Sequence, residues 1–483
     1  MDAPTPPKAQ GEAAGRDEPV NRDGLSGQID GPEKNSRGNM LKGSVFWSMI
    51  LFALPIVVGN FFLQLYVIVD AIIVGRFIGA RSLAAVSVAT PISSIVVFFL
   101  FGGCTGVSVL VAQTYGGGDR RKLREAISTS LIFGVAFTFF LTWLCIAFTP
   151  SVLRWTRTPP ELCEETTLYL DVVFWGLIFS FLYNFFASAL RGIGNSRAPF
   201  LIQAAASCLH IAMNLFFVGY AGMGIRGSAL ATVLSQVFSS LVCVVYVYRR
   251  EPLLALHRGD WHLSAAMLKL TLNYSWASAL QSVIVYVGRF LTQGCINPLG
   301  ADNVAGYNAA TRVENIVMMT YDGVNVALST FIAQNLGARQ SGRIASGFFT
   351  AMAADVGYIA VAGALLFWKA PAIMGIFVSG AASPGIIDAG VQYLRPMACY
   401  LTISVFVALF QSTLRGLGKF RIIMTVSLVQ IAIRVFLSFR LVPVLGIPAT
   451  AHSTAVGWLA VLIWIAPPVC RRLKEFSRGG EAE

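Results

Sequence analysis

The chain has 483 residues, of which 55% are apolar and only 12% are charged, and its formal net charge is +12. Soluble proteins usually contain about 25% charged residues, and nucleic-acid-binding proteins gather their basic residues on a polar body. Here the basic residues interrupt long apolar runs, and the eight cysteines show no CxxC spacing. The composition therefore excludes a typical soluble protein and a nucleic acid partner, and it predicts an all-α polytopic membrane protein in contact with the lipid bilayer.

Residues 1–42 differ from the rest of the chain. They are rich in Pro, Gly and charged residues and contain almost no large apolar side chain. Such a segment cannot bury enough apolar surface to fold, and it lacks the apolar region of a signal peptide. We therefore expect residues 1–42 to be a disordered cytoplasmic tail.

From Ser44 onward, apolar stretches alternate with short polar or glycine-rich breaks. Because a membrane-spanning helix needs about 20 apolar residues, the sequence predicts twelve transmembrane helices, at about 45–69, 82–112, 125–148, 167–190, 199–220, 225–248, 266–295, 303–335, 346–367, 389–413, 422–441 and 447–469. A longer polar connection separates the first six from the last six. We predict an N-terminal lobe at 43–248, a cytoplasmic linker at 249–265, a C-terminal lobe at 266–470 and a cytoplasmic tail at 471–483.

Lysine and arginine in short loops mark the cytoplasmic side of a membrane protein. If the N-terminus is inside, the inside segments contain 22 such residues and the outside loops contain 8. Both termini are therefore expected in the cytoplasm, with the protein in the plasma (inner) membrane.

The two predicted lobes repeat each other in sequence. After a shift of 221 residues, residues of the second predicted helix recur in the eighth, so that Gly102, Gln113 and Gly116 match Gly323, Gln334 and Gly337. After a shift of 224, Leu190-Arg191-Gly192 matches Leu414-Arg415-Gly416. An even number of helices separates the copies, so the lobes share one topology about an axis along the membrane normal, and a substrate would bind between them.

Ionisable groups inside a membrane are costly and are functional candidates by default. Asp70 ends the first predicted span and is a candidate for loading and releasing a proton. An interfacial Asp paired with Arg76 or Arg81 would explain it equally well. Glu314 is the second candidate for ion or proton coupling, and a buried salt bridge to another helix is the alternative explanation.

Further acids lie in or beside the predicted spans. Asp322 follows Glu314 on the same helix, and Asp355 stands in an Ala/Gly-rich stretch where a helix-packing hydrogen bond is the preferred explanation. Asp171 and Asp388 lie near span ends, where hydration lowers the cost of a charge.

Polar uncharged side chains within the spans are candidates for a substrate cleft: Asn60, Gln64, Tyr66, Asn184, His210, Asn214 and Gln281. Tyr66 shares a helix face with Asp70, and His210 shares one with Asn214, because each pair is four residues apart. A single amide in a membrane helix more often joins neighbouring helices, and a neutral His is more often a satisfied core residue. The sequence contains no HExxH, GxSxG or metal-binding cluster, so no enzyme activity, metal or cofactor is predicted.

Several motifs together resemble multidrug and toxic compound extrusion (MATE) transporters. They are LPIVVGNFFLQLYVIVDAIIVGRFIGARSLAAVSVATPI, AQTYGGGDRRKLREA and LRGIGNSRAPF, with AGYNAATRVENI, STFIAQNLGA and LRGLGKFR in the second half. The resemblance covers about residues 44–470. It implies a V-shaped pair of six-helix bundles that exports small organic, often cationic, compounds in exchange for H⁺ or Na⁺. We expect a monomer.

The resemblance also implies roles for single residues. Asp70 matches the first-helix Asp that part of the family uses for proton-linked rearrangement. The family's fifth helix often carries Asn-x-x-x-Asp as a cation site, and His210 and Asn214 occupy those positions here, so one carboxylate is missing. The acid that some members carry in the seventh helix is absent too, with Gln281 as the nearest polar residue. Coupling to H⁺ through Asp70 is therefore expected in preference to Na⁺.

Two other functions stay open at this point. One is a flippase for a lipid-linked precursor, which would need several cationic residues facing the cleft; Arg289, Arg312 and Arg434 within the predicted spans are few for that role. The other is a membrane-embedded enzyme, which the missing catalytic residues disfavour.

Overall fold

The computed structural model describes residues 40–377 and 384–478. Most of the predicted N-terminal tail and the last five residues therefore lie outside the described residues. The two described ranges form thirteen α-helices and contain no strand. The helices are α1 (Val45–Phe77), α2 (Ala80–Gly116), α3 (Arg120–Trp155), α4 (Pro160–Trp175), α5 (Leu177–Gly192), α6 (Arg197–Asn214), α7 (Gly224–Arg250), α8 (Ala265–Ile296), α9 (Ala301–Gly337), α10 (Ser341–Phe377), α11 (Pro384–Gly416), α12 (Phe420–Leu445) and α13 (Pro448–Ser477).

Each of the twelve predicted spans corresponds to helical structure. The fourth is built from α4 and α5, which meet at Gly176 with a bend of 42°. Within the described ranges, ten helices are long and apolar enough to cross a membrane, or eleven if this bent pair is one span. The remaining helix of spanning length is α8, with 32 residues. The prediction of an all-α, two-lobed membrane protein is therefore confirmed.

The lobes contact each other through close helix pairs, α2 with α8 and α1 with α9. A Cβ added to Gly102 or Gly106 of α2 would lie 2.6 Å from backbone atoms of α8. At the matching position in α9, a Cβ added to Gly323 would lie 2.4 Å from the side chain of Val57. The glycines of the sequence repeat thus allow the helices of opposite lobes to approach closely.

Two reciprocal hydrogen bonds join the lobes at the ends of α2 and α9. Gln113 Nε2 donates to the carbonyl of Gly416 at 3.0 Å, and Gln334 Nε2 donates to the carbonyl of Gly192 at 2.7 Å. We call these four residues the glutamine clasp. Because these contacts lie in the C-terminal halves of α2 and α9, the two lobes are closed against each other at that end.

The connection between the lobes is irregular from residue 251 to residue 264 and packs on α3. Arg124 of α3 forms an ion pair with Asp260 at 3.4 Å, and the Ser128 hydroxyl donates to the carbonyl of His262 at 3.1 Å. The backbone N–H of Ser264, which caps α8, donates to the Thr129 hydroxyl at 3.1 Å. The connection is therefore attached to the first lobe along its length.

Candidate functional site

Asp70 lies on α1 opposite the two polar residues predicted to share a face of α6. Asn214 Nδ2 donates to Asp70 Oδ1, and His210 Nε2 lies 3.9 Å from the same oxygen. His210 and Asn214 are 1% and 0% exposed, whereas the Asp70 side chain is 23% exposed. The carboxylate is therefore the accessible member of a buried polar group.

The local backbone supports this arrangement. Immediately after Asn214 the chain continues as a π-helical turn, Leu215–Tyr220. Such turns are rare and occur frequently at functional sites, because they change the direction of the side chains on either side. Here the change occurs one residue after the amide that contacts Asp70.

Two residues from other helices complete the group. His210 Nε2 lies 3.2 Å from the Thr232 hydroxyl of α7, which itself donates to the Ser228 carbonyl at 3.1 Å. Because the single hydroxyl hydrogen is used there, the Thr232 oxygen is left to accept, so Nε2 of His210 carries the ring hydrogen. Tyr169 of α4 is next to Thr232 and close to Asp70. We call these five residues the N-lobe cluster.

The alternative of an interfacial Asp70 paired with arginine is not found. Arg81 donates to the carbonyl of Glu161 at 2.6 Å and forms an ion pair with Glu165 at 3.6 Å. Within the described ranges, no ion pair shorter than 4.0 Å connects Asp70 with Arg76 or Arg81. The Arg81 side chain at the start of α2 is thus directed to α4, away from Asp70.

The other residues proposed for the cleft in this lobe are less clearly placed. Asn60 and Gln64 are half-buried on α1. The Tyr66 side chain lies outside the described residues. Asn184 Nδ2 donates to the carbonyl of Ser180 in its own helix at 2.8 Å. Neither the amide of Asn184 nor those of α1 have a hydrogen bond to the N-lobe cluster among the described contacts.

Glu314 belongs to a separate group in the second lobe. Its Oε2 accepts a hydrogen bond from the Tyr393 hydroxyl at 2.7 Å, and the Tyr393 ring packs edge-on against Tyr307 with 5.1 Å between centroids. The Arg434 side chain lies beside Tyr307 and near Glu314. We call these four residues the C-lobe cluster. The buried salt bridge considered for Glu314 is not among the ion pairs of the described residues, and a phenol contacts it instead.

Gln281 has the packing role that a single amide in a membrane helix often has. It is 8% exposed, and its Nε2 donates to Ser427 at 3.2 Å and to Gln411 at 3.4 Å. Asp355 is also buried, and it accepts a hydrogen bond from Asn325 at 3.1 Å, as expected for a helix-packing partner. These contacts join α8 to α11 and α12, and α9 to α10.

Sequence reasoning missed the tyrosines and the threonine of the two clusters. In an apolar helix, Tyr169, Tyr393 and Thr232 look like ordinary packing residues. The repeat contained a usable signal, because the shift of 224 that aligns Gly192 with Gly416 also places Tyr169 on Tyr393.

A cavity of about 480 Å³ lies between α2, α3, α4 and α8. Apolar side chains such as Ile95, Phe148 and Phe290 line it, and it includes no residue of either cluster. Within residues 40–377 and 384–478, no three His, Cys, Asp or Glu side chains converge to hold a metal ion. Asp70 and Glu314, the two acids considered for coupling, therefore lie outside this cavity.

Known proteins share this sequence pattern and fold. The MatE family model matches residues 55–216 and 277–440. The probable multidrug resistance protein YoeA of Bacillus subtilis is 29% identical over 310 residues, covering 63% of this chain and 67% of its own length. The probable multidrug resistance protein NorM of Thermotoga maritima is 22% identical over 379 residues, covering 77% and 80%.

A solved structure described as MATE in complex with MaL6 has a TM-score of 0.85 at 20% identity. The match covers 92% of this chain and 100% of that one, and it shows the shared fold. The two segments that match the family model lie one in each lobe and together span more than half of the chain. This chain therefore belongs to the MatE family, whose members are transporters rather than enzymes.

Proposed function

We propose that the protein is a multidrug exporter that moves small organic, often cationic, compounds out of the cell in exchange for protons. It acts as a monomer in the plasma membrane, with both termini in the cytoplasm. The names of the relatives YoeA and NorM, both probable multidrug resistance proteins, support the substrate class. The observation that carries the proposal is the partly exposed Asp70 carboxylate, held by Asn214 and adjacent to His210.

Proton binding at Asp70 changes a contact between two helices. The ionised carboxylate accepts the hydrogen bond of Asn214 and thereby joins α1 to α6. Protonation removes the negative charge and turns one carboxyl oxygen into a donor, which weakens that contact. A ligand shifts a conformational equilibrium by its different affinity for the two states, so a proton on Asp70 favours the state in which α1 is released.

The Asp70 carboxylate also explains how a proton is exchanged for a cationic compound. A cationic compound is attracted to ionised Asp70 and loses this attraction when a proton binds, so proton and cation compete for one negative charge. Asn214 stands where many family members carry a second carboxylate, so this site has one acid to offer a metal cation. Glu314, with its hydrogen bond from Tyr393, is a second acid that protonation would release from its partner. These features favour H⁺ over Na⁺ as the coupling ion.

The test is transport by purified protein in liposomes, with pH and Na⁺ gradients imposed separately and a fluorescent lipophilic cation as the probe. We expect transport to follow the pH gradient, and Asp70→Asn to reduce it to the level of protein-free liposomes. Asp171→Asn is the matched control, because Asp171 is a half-buried acid of the same lobe outside the N-lobe cluster. Full proton-driven transport by Asp70→Asn, or transport that follows only the Na⁺ gradient, would overturn the proposal.

A further inference from the structure

Two buried polar groups of α12 lie one helical turn apart without a partner. Arg434 Nε and the Ser438 hydroxyl have no hydrogen bond within the described part of the chain, and Ser438 is 0% exposed. Four residues apart, they project from one face of the helix. Because leaving a buried polar group without a hydrogen bond destabilises the folded protein, native structures contain few of them. Two neighbouring donors of this kind indicate a position where a ligand binds.

The equivalent residues of the first lobe indicate which chemical group Arg434 and Ser438 bind. The shift of 224 residues that aligns Gly192 with Gly416 also places His210 on Arg434 and Asn214 on Ser438. In the first lobe, Asn214 donates a hydrogen bond to the carboxylate of Asp70 from α1, and His210 Nε2 lies 3.9 Å from the same oxygen. The equivalent positions in the second lobe therefore have the donors of a carboxylate site.

The second lobe does not supply that carboxylate from the equivalent helix. The helix equivalent to α1 is α8, and its sequence, AAMLKLTLNYSWASALQSVIVYVGRFLTQGCI, contains no acidic residue. The shift of 221 that aligns α2 with α9 places Leu291 at the position of Asp70. We propose that Arg434 and Ser438 bind a carboxylate group of the transported compound. This inference rests on the transport function proposed above.

The charges around Arg434 fit an incoming anion. From α9 it faces Glu314 and has a side-chain hydrogen bond with Tyr307, which leaves Nε without a partner, and from α11 it faces Tyr393. Glu314 is held by Tyr393 at 2.7 Å, and it forms no ion pair within 4.0 Å of Arg434 among the described residues. Arg289 of α8 is exposed in the same region and donates to Asn315 at 3.2 Å.

The acids of this region contact groups other than Arg434. Asp322, two turns beyond Glu314 on α9, interacts with both Arg289 and Arg415. Asp355 of α10 lies near Asp322 and accepts a hydrogen bond from Asn325. A carboxylate on the ligand would pair with Arg434 directly, and a guanidinium–carboxylate pair is among the strongest charge-assisted hydrogen bonds.

The two clusters together select a substrate class. Asp70 attracts a cationic group in the first lobe, and Arg434 and Ser438 bind an anionic group in the second. Arg434 is half-buried, so its outer nitrogens can be reached although its Nε is buried. Gly288 of α8 packs directly on Ile431, which fixes α12 against α8 one turn from Arg434. Compounds that carry both an amine or iminium cation and a carboxylate are the class that this arrangement fits.

The experiment compares two dyes that differ in one group. The full-length protein in liposomes is titrated, without any gradient, with a rhodamine that bears a free carboxylate and with the ethyl ester of the same dye. We expect Arg434→Gln to weaken binding of the carboxylate dye by about 10- to 100-fold and Ser438→Ala by about threefold to tenfold. Both variants should bind the ester within about twofold of the unchanged protein. Arg440→Gln is the control, because Arg440 is an exposed arginine of the same helix that packs over Phe436.

The outcomes separate this inference from the proposed function. Equal binding of both dyes by the unchanged protein and by folded Arg434→Gln and Ser438→Ala would overturn the carboxylate site. An equal loss of both dyes would overturn it too, because the effect would then be structural. If Arg434→Gln fails to fold, Arg434→Lys and Ser438→Ala still decide, since each retains most of the packing. If the unchanged protein transports neither dye with the pH gradient, the proposed function fails instead.

Discussion

At the end of α2, Gly116 packs so closely on α9 that there is no room for a side chain. Gly116→Ala tests whether this close approach keeps the two lobes closed at that end. A Cβ at Gly116 would lie 2.0 Å from the carbonyl oxygen of Gln334 on α9. Ordinary van der Waals contact begins at 3.4 Å, so the two helices must separate locally by about 1.4 Å. The neighbouring hydrogen bond from Gln334 to Gly192, now 2.7 Å, would then lengthen to about 4 Å and be lost.

The cost can be estimated from these contacts. A hydrogen bond between membrane helices contributes about 0.6 kcal/mol on average, so the two bonds of the glutamine clasp contribute about 1.2 kcal/mol. Forcing an extra carbon into a packed contact costs about 1–3 kcal/mol. We expect the state closed at this end to lose about 2–4 kcal/mol relative to the open state, a shift of roughly 30- to 1000-fold in their ratio.

Distances between spin labels at Arg121 and Gly342 measure this shift, because both residues are exposed next to the ends of α2 and α9. In Gly116→Ala the distribution should move toward longer distances. Gly103→Ala is the matched control, since it lies on the same helix and a Cβ there meets nothing within 4 Å. If both variants gave the distribution of the unchanged protein, the close approach would not control closure and the reasoning would be refuted.

Three further predictions concern stability. Asp119 caps α3 by accepting a hydrogen bond from the Lys122 N–H at 3.0 Å, and such a cap contributes about 1 kcal/mol. Asp119→Ala should therefore lower the melting temperature, whereas Asp119→Asn, which keeps a capping side chain, should not. That hydrogen bond also lowers the pKa of Asp119, so the difference between the unchanged protein and Asp119→Ala should shrink as the pH falls through the lowered pKa. Gln281→Leu should destabilise the protein by about 1 kcal/mol and leave transport unchanged. If this variant instead lost transport at an unchanged melting temperature, Gln281 would belong to the substrate path. Gly288→Ala should lower the melting temperature because its Cβ would lie 2.4 Å from Ile431, and Ile431→Ala should restore it.

The helices were predictable because each span is a long apolar stretch between polar or glycine-rich breaks. The common face of His210 and Asn214 was predictable too, since four-residue spacing fixes it. That Asp70 faces this pair was not predictable, because hydropathy gives the position of a helix along the chain and leaves its rotation undetermined. Asp70 and Asn214 are 144 residues apart, and only packing brings them together.

Arg434 illustrates a different limit. The sequence shows an arginine within an apolar span, and it gives no means of telling which groups face it. The repeat supplies part of the answer, because it places Arg434 at the position of His210. The rest depends on three-dimensional contacts with Tyr307 and Tyr393, which come from other helices. In the same way, the repeated glycines were visible in the sequence, but their contact across the lobes was not.

The connection between the lobes, residues 251–264, is held by the first lobe and does not act as a flexible linker. A fully extended chain of fourteen residues is about 45 Å long, which would allow a large separation between the lobes. Because Arg124 and Ser128 fasten the segment to α3, almost none of this length is free. We therefore expect rotation of one lobe against the other to change the backbone near Ser264, where the fastened segment passes into α8. The connection would then work as a hinge at one position and add no free length between the lobes.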